Sequence, residues 1–247
     1  MPGIIQAYRK LADALGPSNW WPGETPFEVM VGAILTQNTS WKNVELAIAQ
    51  LRSRNLLDPE RLDRIETSEL APIIRSSGYF NQKARKLKTL TNWFRNYNYS
   101  VKEVLASHKS VSHLRASLLA LNGVGPETAD SILCYAFEQP VFVVDAYTTR
   151  WLKRYAPELA TDDYHELQKT VMLTFERAVT RAGLSALPLT AHYNEFHALI
   201  VRLGYQMCTK NKPACLTCPL RRHCNEGKQL QCASRSATRT RRASSRP

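Results

Sequence analysis

Apolar residues recur along this chain at helical spacing. IIQAYRKLADAL near the N-terminus sets Ile4, Ile5, Tyr8, Leu11, Ala12 and Leu15 on one face, which predicts an amphipathic helix. FEVMVGAIL (27–35) is apolar on all sides and reads as a buried helix, and NVELAIAQL (43–51) reads as an amphipathic one. Asp58 followed by Pro59 predicts an N-cap and a first helical position, and Ser100 with Glu103 forms a capping-box pattern. Further helices are predicted over about 82–95, 112–120, 126–137, 146–155, 163–181 and 191–203. VFVVD (141–145) is the one strand-like run; it is short and has no partner run. No internal repeat is present, and the predicted fold class is all-α.

Composition narrows the picture. At 247 residues the chain can bury one good-sized core or a core plus a smaller lobe. It carries no apolar run long enough to span a bilayer, and its N-terminus alternates apolar and polar residues unlike a signal peptide. The expectation is a cytoplasmic protein, nucleoid-associated in a prokaryote, with no membrane partner. There the six cysteines act as thiols or metal ligands, not as disulfides. The net charge is +12. Residues 227–247 hold six Lys or Arg, half of that excess, with no acid and little apolar content. They read as a disordered basic tail, either simply solvated or drawn nonspecifically to nucleic acid. The body keeps the other half of the charge, which suits a polyanionic partner, although solubility alone would also account for it.

Two motifs carry chemistry. LNGVGPETADSIL (121–133) reads as helix, tight turn, helix. Gly123 and Gly125 allow a sharp turn and clear the approach to it, and Pro126 suits the first position of the next helix. The free N–H groups there can hold a phosphate of any DNA sequence; a plain connector has the same pattern. The second motif is CTKNKPACLTCPLRRHC. Cys208, Cys215, Cys218 and Cys224 follow a C-x6-C-x2-C-x5-C spacing, so four thiolates can wrap one soft metal centre. The compact, uneven run favours an iron–sulfur cluster over zinc, which prefers two short pairs around a longer finger. Cys134 reads as a core thiol and Cys232 as a free thiol in the tail.

The hairpin, an aspartate 20 residues after Gly125 and the cysteine spacing together resemble the endonuclease III superfamily of DNA glycosylases, named for a helix–hairpin–helix followed by a Gly/Pro-rich stretch and an aspartate. FEVMVGAILTQNTS, GYFNQKARKLKTL and VFVVDAYTTR extend the resemblance over nearly all of residues 1–226. It implies a two-domain helical fold: a six-helix barrel over 26–139, and a cluster domain of 1–25 plus 140–226 holding a [4Fe-4S] cluster on the four cysteines. It also implies a monomer that binds double-stranded DNA and flips a damaged base out of the stack. Asp145 stands at the catalytic aspartate, and ordinary N-capping is its other reading. Gln37 stands where family members fill the space left by the flipped base, or else caps a helix end. Tyr79 stands where they wedge the opposite strand, or else is buried. Lys83, Arg85 and Lys86 touch phosphate or solvate a helix face.

Glu127 departs from the pattern. Lyase-active members carry a lysine there that attacks the sugar, and a carboxylate cannot form an imine. Glu127 can still serve as a first-turn partner of the helix dipole. The 3-methyladenine glycosylase branch also lacks the lysine, and Trp20, Trp21 and Trp41 match its base-pocket aromatics. The expected activity is hydrolytic release of an N-alkylated purine, leaving an abasic site. Two alternatives are a glycosylase–lyase acting on oxidised pyrimidines through another lysine, and a noncatalytic DNA-binding iron–sulfur protein.

Overall fold

The computed structural model describes residues 3–18, 20–184 and 186–229. All regular elements among them are helical, and they divide into two compact units. Residues 21–141 make one; the described parts of 1–20 and 142–247 make the other. The family resemblance predicts these boundaries at 26 and 139.

The 21–141 unit begins with α2 (Pro26–Leu35); α1 (Ile4–Leu15) belongs to the other unit. Every residue of α2 from Phe27 to Leu35 is buried, as its all-round apolar pattern requires. Thr25 caps its first turn by accepting from the Glu28 N–H, and the buried Glu28 carboxylate is neutralised by Arg52 at 2.5 Å. Next come α3 (Trp41–Arg52), α4 (Pro59–Arg64), α5 (Thr67–Ile73) and a short 3-10 turn at Arg75–Ser77. Asp58 caps α4 by accepting from the Arg61 N–H at 2.9 Å. Then follow α6 (Phe80–Arg95), α7 (Val101–Ser107) and α8 (Val111–Leu119). The predicted capping box at Ser100 is half formed. Ser100 accepts from the Glu103 N–H, but the Glu103 carboxylate takes the Asn98 amide at 2.7 Å. The hairpin helix α9 (Pro126–Ser131) continues as a π turn over Ile132–Ala136. The core is aliphatic with stacked aromatics; Phe27 and Phe94 lie parallel with centroids 6.1 Å apart. Each buried Leu or Phe side chain contributes roughly 1.5–3 kcal/mol.

In the other unit α1 (Ile4–Leu15) packs on α11 (Tyr164–Arg181) and α12 (Leu189–Gln206), and α10 (Ala146–Tyr155) packs on α12. Tyr8, Phe175 and Phe196 join them, with Phe175 and Phe196 stacked at 4.9 Å. The strand-like run forms no sheet. Phe142, Val143 and Val144 are buried, and the Gln168 amide donates to the Phe142 carbonyl at 2.7 Å. Hydrogen bonding by a side chain replaces the missing strand partner. A helical stretch starts at residue 225, so 227–229 of the expected disordered tail are helical; 230–247 lie outside the described residues. No described helix is long and apolar enough to cross a membrane.

Candidate functional site

The hairpin is held from beneath. Gly123 has φ +90, a conformation that suits glycine, and a Cβ there would lie 2.6 Å from the Lys86 stem. Gly125 differs: its φ of −90 is ordinary, and a Cβ would meet nothing within 4 Å. Its bareness therefore leaves open space in front of the α9 N-terminus, which has Pro126 at its first position and no side-chain cap from residue 125. Asp130, fully buried, takes a two-pronged bond from Arg115 at 2.6 and 2.9 Å, which fastens α9 to α8. Gln37 turns inward. Its amide donates to the Gly123 carbonyl at 3.1 Å and the Thr128 hydroxyl at 3.0 Å, and its oxygen accepts from Lys86 at 2.5 Å. Glu127 is exposed in the first turn of α9.

Tyr79 stands 66% exposed at the head of α6 with φ +45, a strained backbone for a bulky side chain. Lys83, grouped by sequence with the phosphate contacts, is instead 1% exposed. Its ammonium donates to the carbonyls of Leu35 at 2.8 Å and Ser77 at 2.6 Å, so it serves the interior of the unit. Burial, and then the nearby Lys86 charge, lower its pKa to about 8. Arg85 is exposed, and with Gln82, Lys86, Thr89 and Asn122 it rims a polar depression beside the hairpin.

Trp21 meets Trp41 edge-on at 5.4 Å and Tyr135 at 5.3 Å. Gly32 permits this placement, since a Cβ there would sit 3.0 Å from the Trp21 ring. The Trp41 indole N–H donates to Glu45 at 2.9 Å. Tyr135 was not foreseen; it lies on the π turn, a helical irregularity that no spacing rule announces. Trp20 falls in the other unit, where its backbone N–H donates to the Ser18 hydroxyl, itself bonded to Glu195.

Asp145 opens α10. One carboxylate oxygen accepts from the Thr148 N–H at 2.7 Å, and the other lies 3.5 Å from His197 Nε2. Burial alone would raise its pKa. Attraction to His197 and the bonds from His197 and Thr148 outweigh burial and hold the carboxyl below its ordinary value. His197, 52 residues away on α12, carries no local sequence signal; folding alone brings it to Asp145.

Cys208, Cys215, Cys218 and Cys224 line one cavity, together with Trp151, Arg154 and Arg221. Arg154 donates to the Cys208 sulfur at 3.3 Å and to the carbonyls of Thr209 and Lys210, and it pairs with Glu226 at 3.1 Å. Trp151 Nε1 and Arg221 Nε are buried there with no hydrogen-bond partner among the described residues. Four soft ligands with orphaned donors beside them fit a group that carries acceptor atoms of its own, as cluster sulfides are. Among the described residues no three His, Cys, Asp or Glu stand close enough to hold a single metal ion. Cys134 is inert by contrast: burial pushes its thiol up to about 12.

Residues 31–177 match the family model described as HhH-GPD superfamily base excision DNA repair protein. A protein of Methanocaldococcus jannaschii named "Putative DNA repair glycosylase MJ1434" is 41% identical over 221 residues, which is 90% of this chain and 95% of that one. The crystal structure of the H. pylori 3-methyladenine DNA glycosylase MagIII bound to 1,N6-ethenoadenine superposes with a TM-score of 0.70 at 31% identity, covering 83% of this chain and 98% of that one. A trapped endonuclease III–DNA covalent intermediate shares the fold with a TM-score of 0.71 at 24% identity, covering 94% of this chain and 100% of that one. The chain belongs to the HhH-GPD superfamily of base excision DNA repair proteins and is a DNA-binding glycosylase within it.

Proposed function

We propose that this glycosylase releases an N-alkylated purine such as 3-methyladenine by hydrolysis and leaves the abasic strand uncut. The observation that carries the reading is Glu127, exposed at the second position of α9, which the family resemblance sets at the lysine of lyase-active members. Without that amine the sugar is not captured as an imine, and water is the remaining nucleophile. Asp145 suits the charge that builds on the sugar as the base departs. Its carboxyl is held below the usual range, which makes it a weak base but a dependable anion. An alkylated purine is already cationic, so its departure needs no protonating acid. The Trp21, Trp41 and Tyr135 rings offer such a base stacking and cation–π attraction, worth about 0.5–2 kcal/mol each.

In this reading the bare approach at Gly125 admits a backbone phosphate, Tyr79 wedges the strand opposite the lesion, and Gln37 borders the space left by the flipped nucleotide. Cys208, Cys215, Cys218 and Cys224 would hold a [4Fe-4S] cluster, which when bound ties the C-terminal loop together. A panel of duplexes, each carrying an alkylated purine or an oxidised pyrimidine and scored for released base, tests the substrate class. Release of alkylated purines alone is expected; release of oxidised pyrimidines alone refutes the reading.

A further inference from the structure

Residues of α6 reach three segments that face DNA in the reading above. Lys83 binds the carbonyl of Leu35, two residues before Gln37, and the carbonyl of Ser77, two residues before Tyr79. One turn further along, Lys86 binds the Gln37 side chain at 2.5 Å, and its stem fills the space a Cβ of Gly123 would need. A buried ammonium is costly to desolvate, and here its two carbonyl bonds at 2.6 and 2.8 Å offset that cost in one place only. Either loop moving outward would strip a buried charge of a partner. The Tyr79 backbone, held at φ +45, needs such an outside constraint to persist.

We infer that Lys83 and Lys86 form a clamp that fixes the Gln37 and Tyr79 segments and the hairpin turn in one register, making both lysines positioning residues for insertion into DNA. The inference rests on the wedge role proposed for Tyr79 and on the place proposed for Gln37 beside the space left by the flipped nucleotide. A clamp of this kind acts on geometry and not on attraction to phosphate. Its loss should therefore spare the grip on undamaged duplex while weakening insertion, and small misplacements of this sort cost roughly 10- to 100-fold in rate.

The test uses the full chain and a duplex with 2-aminopurine opposite a tetrahydrofuran abasic analogue, so no lesion need be known. Wedging unstacks the 2-aminopurine and raises its fluorescence. Y79A and K83M should each lower the rise several-fold, and K83M should add little in a Y79A background. K86M and Q37A should show the same non-additivity. Affinity for undamaged duplex should stay within about twofold for K83M, since the phosphate grip lies on the hairpin. If K83M does not fold, the K86M/Q37A pair decides by the same criterion. A silent Y79A would refute the wedge role itself. A dark Y79A with parental signal from K83M and K86M would overturn the clamp, as would effects that multiply independently.

Discussion

The helices α9 and α10 open in opposite ways. At α9 the residue before the helix is Gly125, which offers no side chain, and nothing stands within 4 Å of the missing one. At α10 the preceding residue is Asp145, whose carboxylate accepts from the Thr148 N–H at 2.7 Å. Both ends carry the positive pole of a helix. One leaves it open to an anion from outside, and the other spends it on keeping an anion of its own. An uncapped helix end costs about 1 kcal/mol. The Arg115–Asp130 bond and the Gln37 bonds to Gly123 and Thr128 hold α9 in its place. The difference separates binding from chemistry: the open end suits a ligand that must come and go, the closed end a charge that must never leave.

The comparison breaks most visibly at Asp145. D145N keeps side-chain volume and capping ability but loses the charge, so single-turnover base release should slow roughly 100- to 1000-fold, or about 3–4 kcal/mol. Asparagine caps almost as well as aspartate, so D145N should lose only the stabilisation that comes from the charge and its His197 contact, whereas D145A should lose the cap as well, about 1 kcal/mol more. Undiminished release by D145N would remove Asp145 from the mechanism.

The two glycines of the hairpin should fail differently. A Cβ at position 125 meets nothing within 4 Å, so G125L should leave thermal unfolding near the parental value while affinity for any duplex falls roughly tenfold. G123A should behave in the reverse manner, losing about 1–3 kcal/mol of stability from its positive φ and its collision with Lys86. Equal effects of both substitutions on binding would show that Gly125 has no contact role.

Asp145 also makes a pH test possible. Its folded pKa lies below the unfolded value of about 3.9, so its stabilising contribution is fully present above that pH and is lost as pH falls through the folded value. The stability gap between the parent and D145N should therefore be constant near neutrality and close on acidification below about pH 4. A gap that widens on acidification would contradict the depressed pKa. The smallest effect concerns residues 230–247. Their removal should lower DNA affinity mainly at low salt and flatten the salt dependence, measured by anisotropy across a salt series.

How far the sequence speaks depends on whether a feature is local. Asp58 and Asp145 as caps, the all-round burial of α2 and the glycine turn were legible, because each follows from neighbours within a turn or two. Lys83 was misplaced because its partners, Leu35 and Ser77, are set by packing, and a lysine on a basic helix looks solvated in any linear pattern. The α5 helix was missed: TSELAPI carries an internal Pro72, which argues against a helix locally. Tyr135 reaches Trp21 from a π turn, and His197 reaches Asp145 from another helix; neither has a periodic signal.

The central claim is that Glu127 leaves only water to complete the reaction. Two parallel samples decide it: a duplex carrying 3-methyladenine is incubated with excess protein, with borohydride to score covalent adduct and without it to score free base and strand cleavage. The account predicts free base, a strand that stays uncut in the borohydride-free sample until alkali is added, and no adduct from the parent, with adduct appearing in E127K. Parental protein that is trapped on DNA, or that nicks the strand as it releases the base, would contradict it.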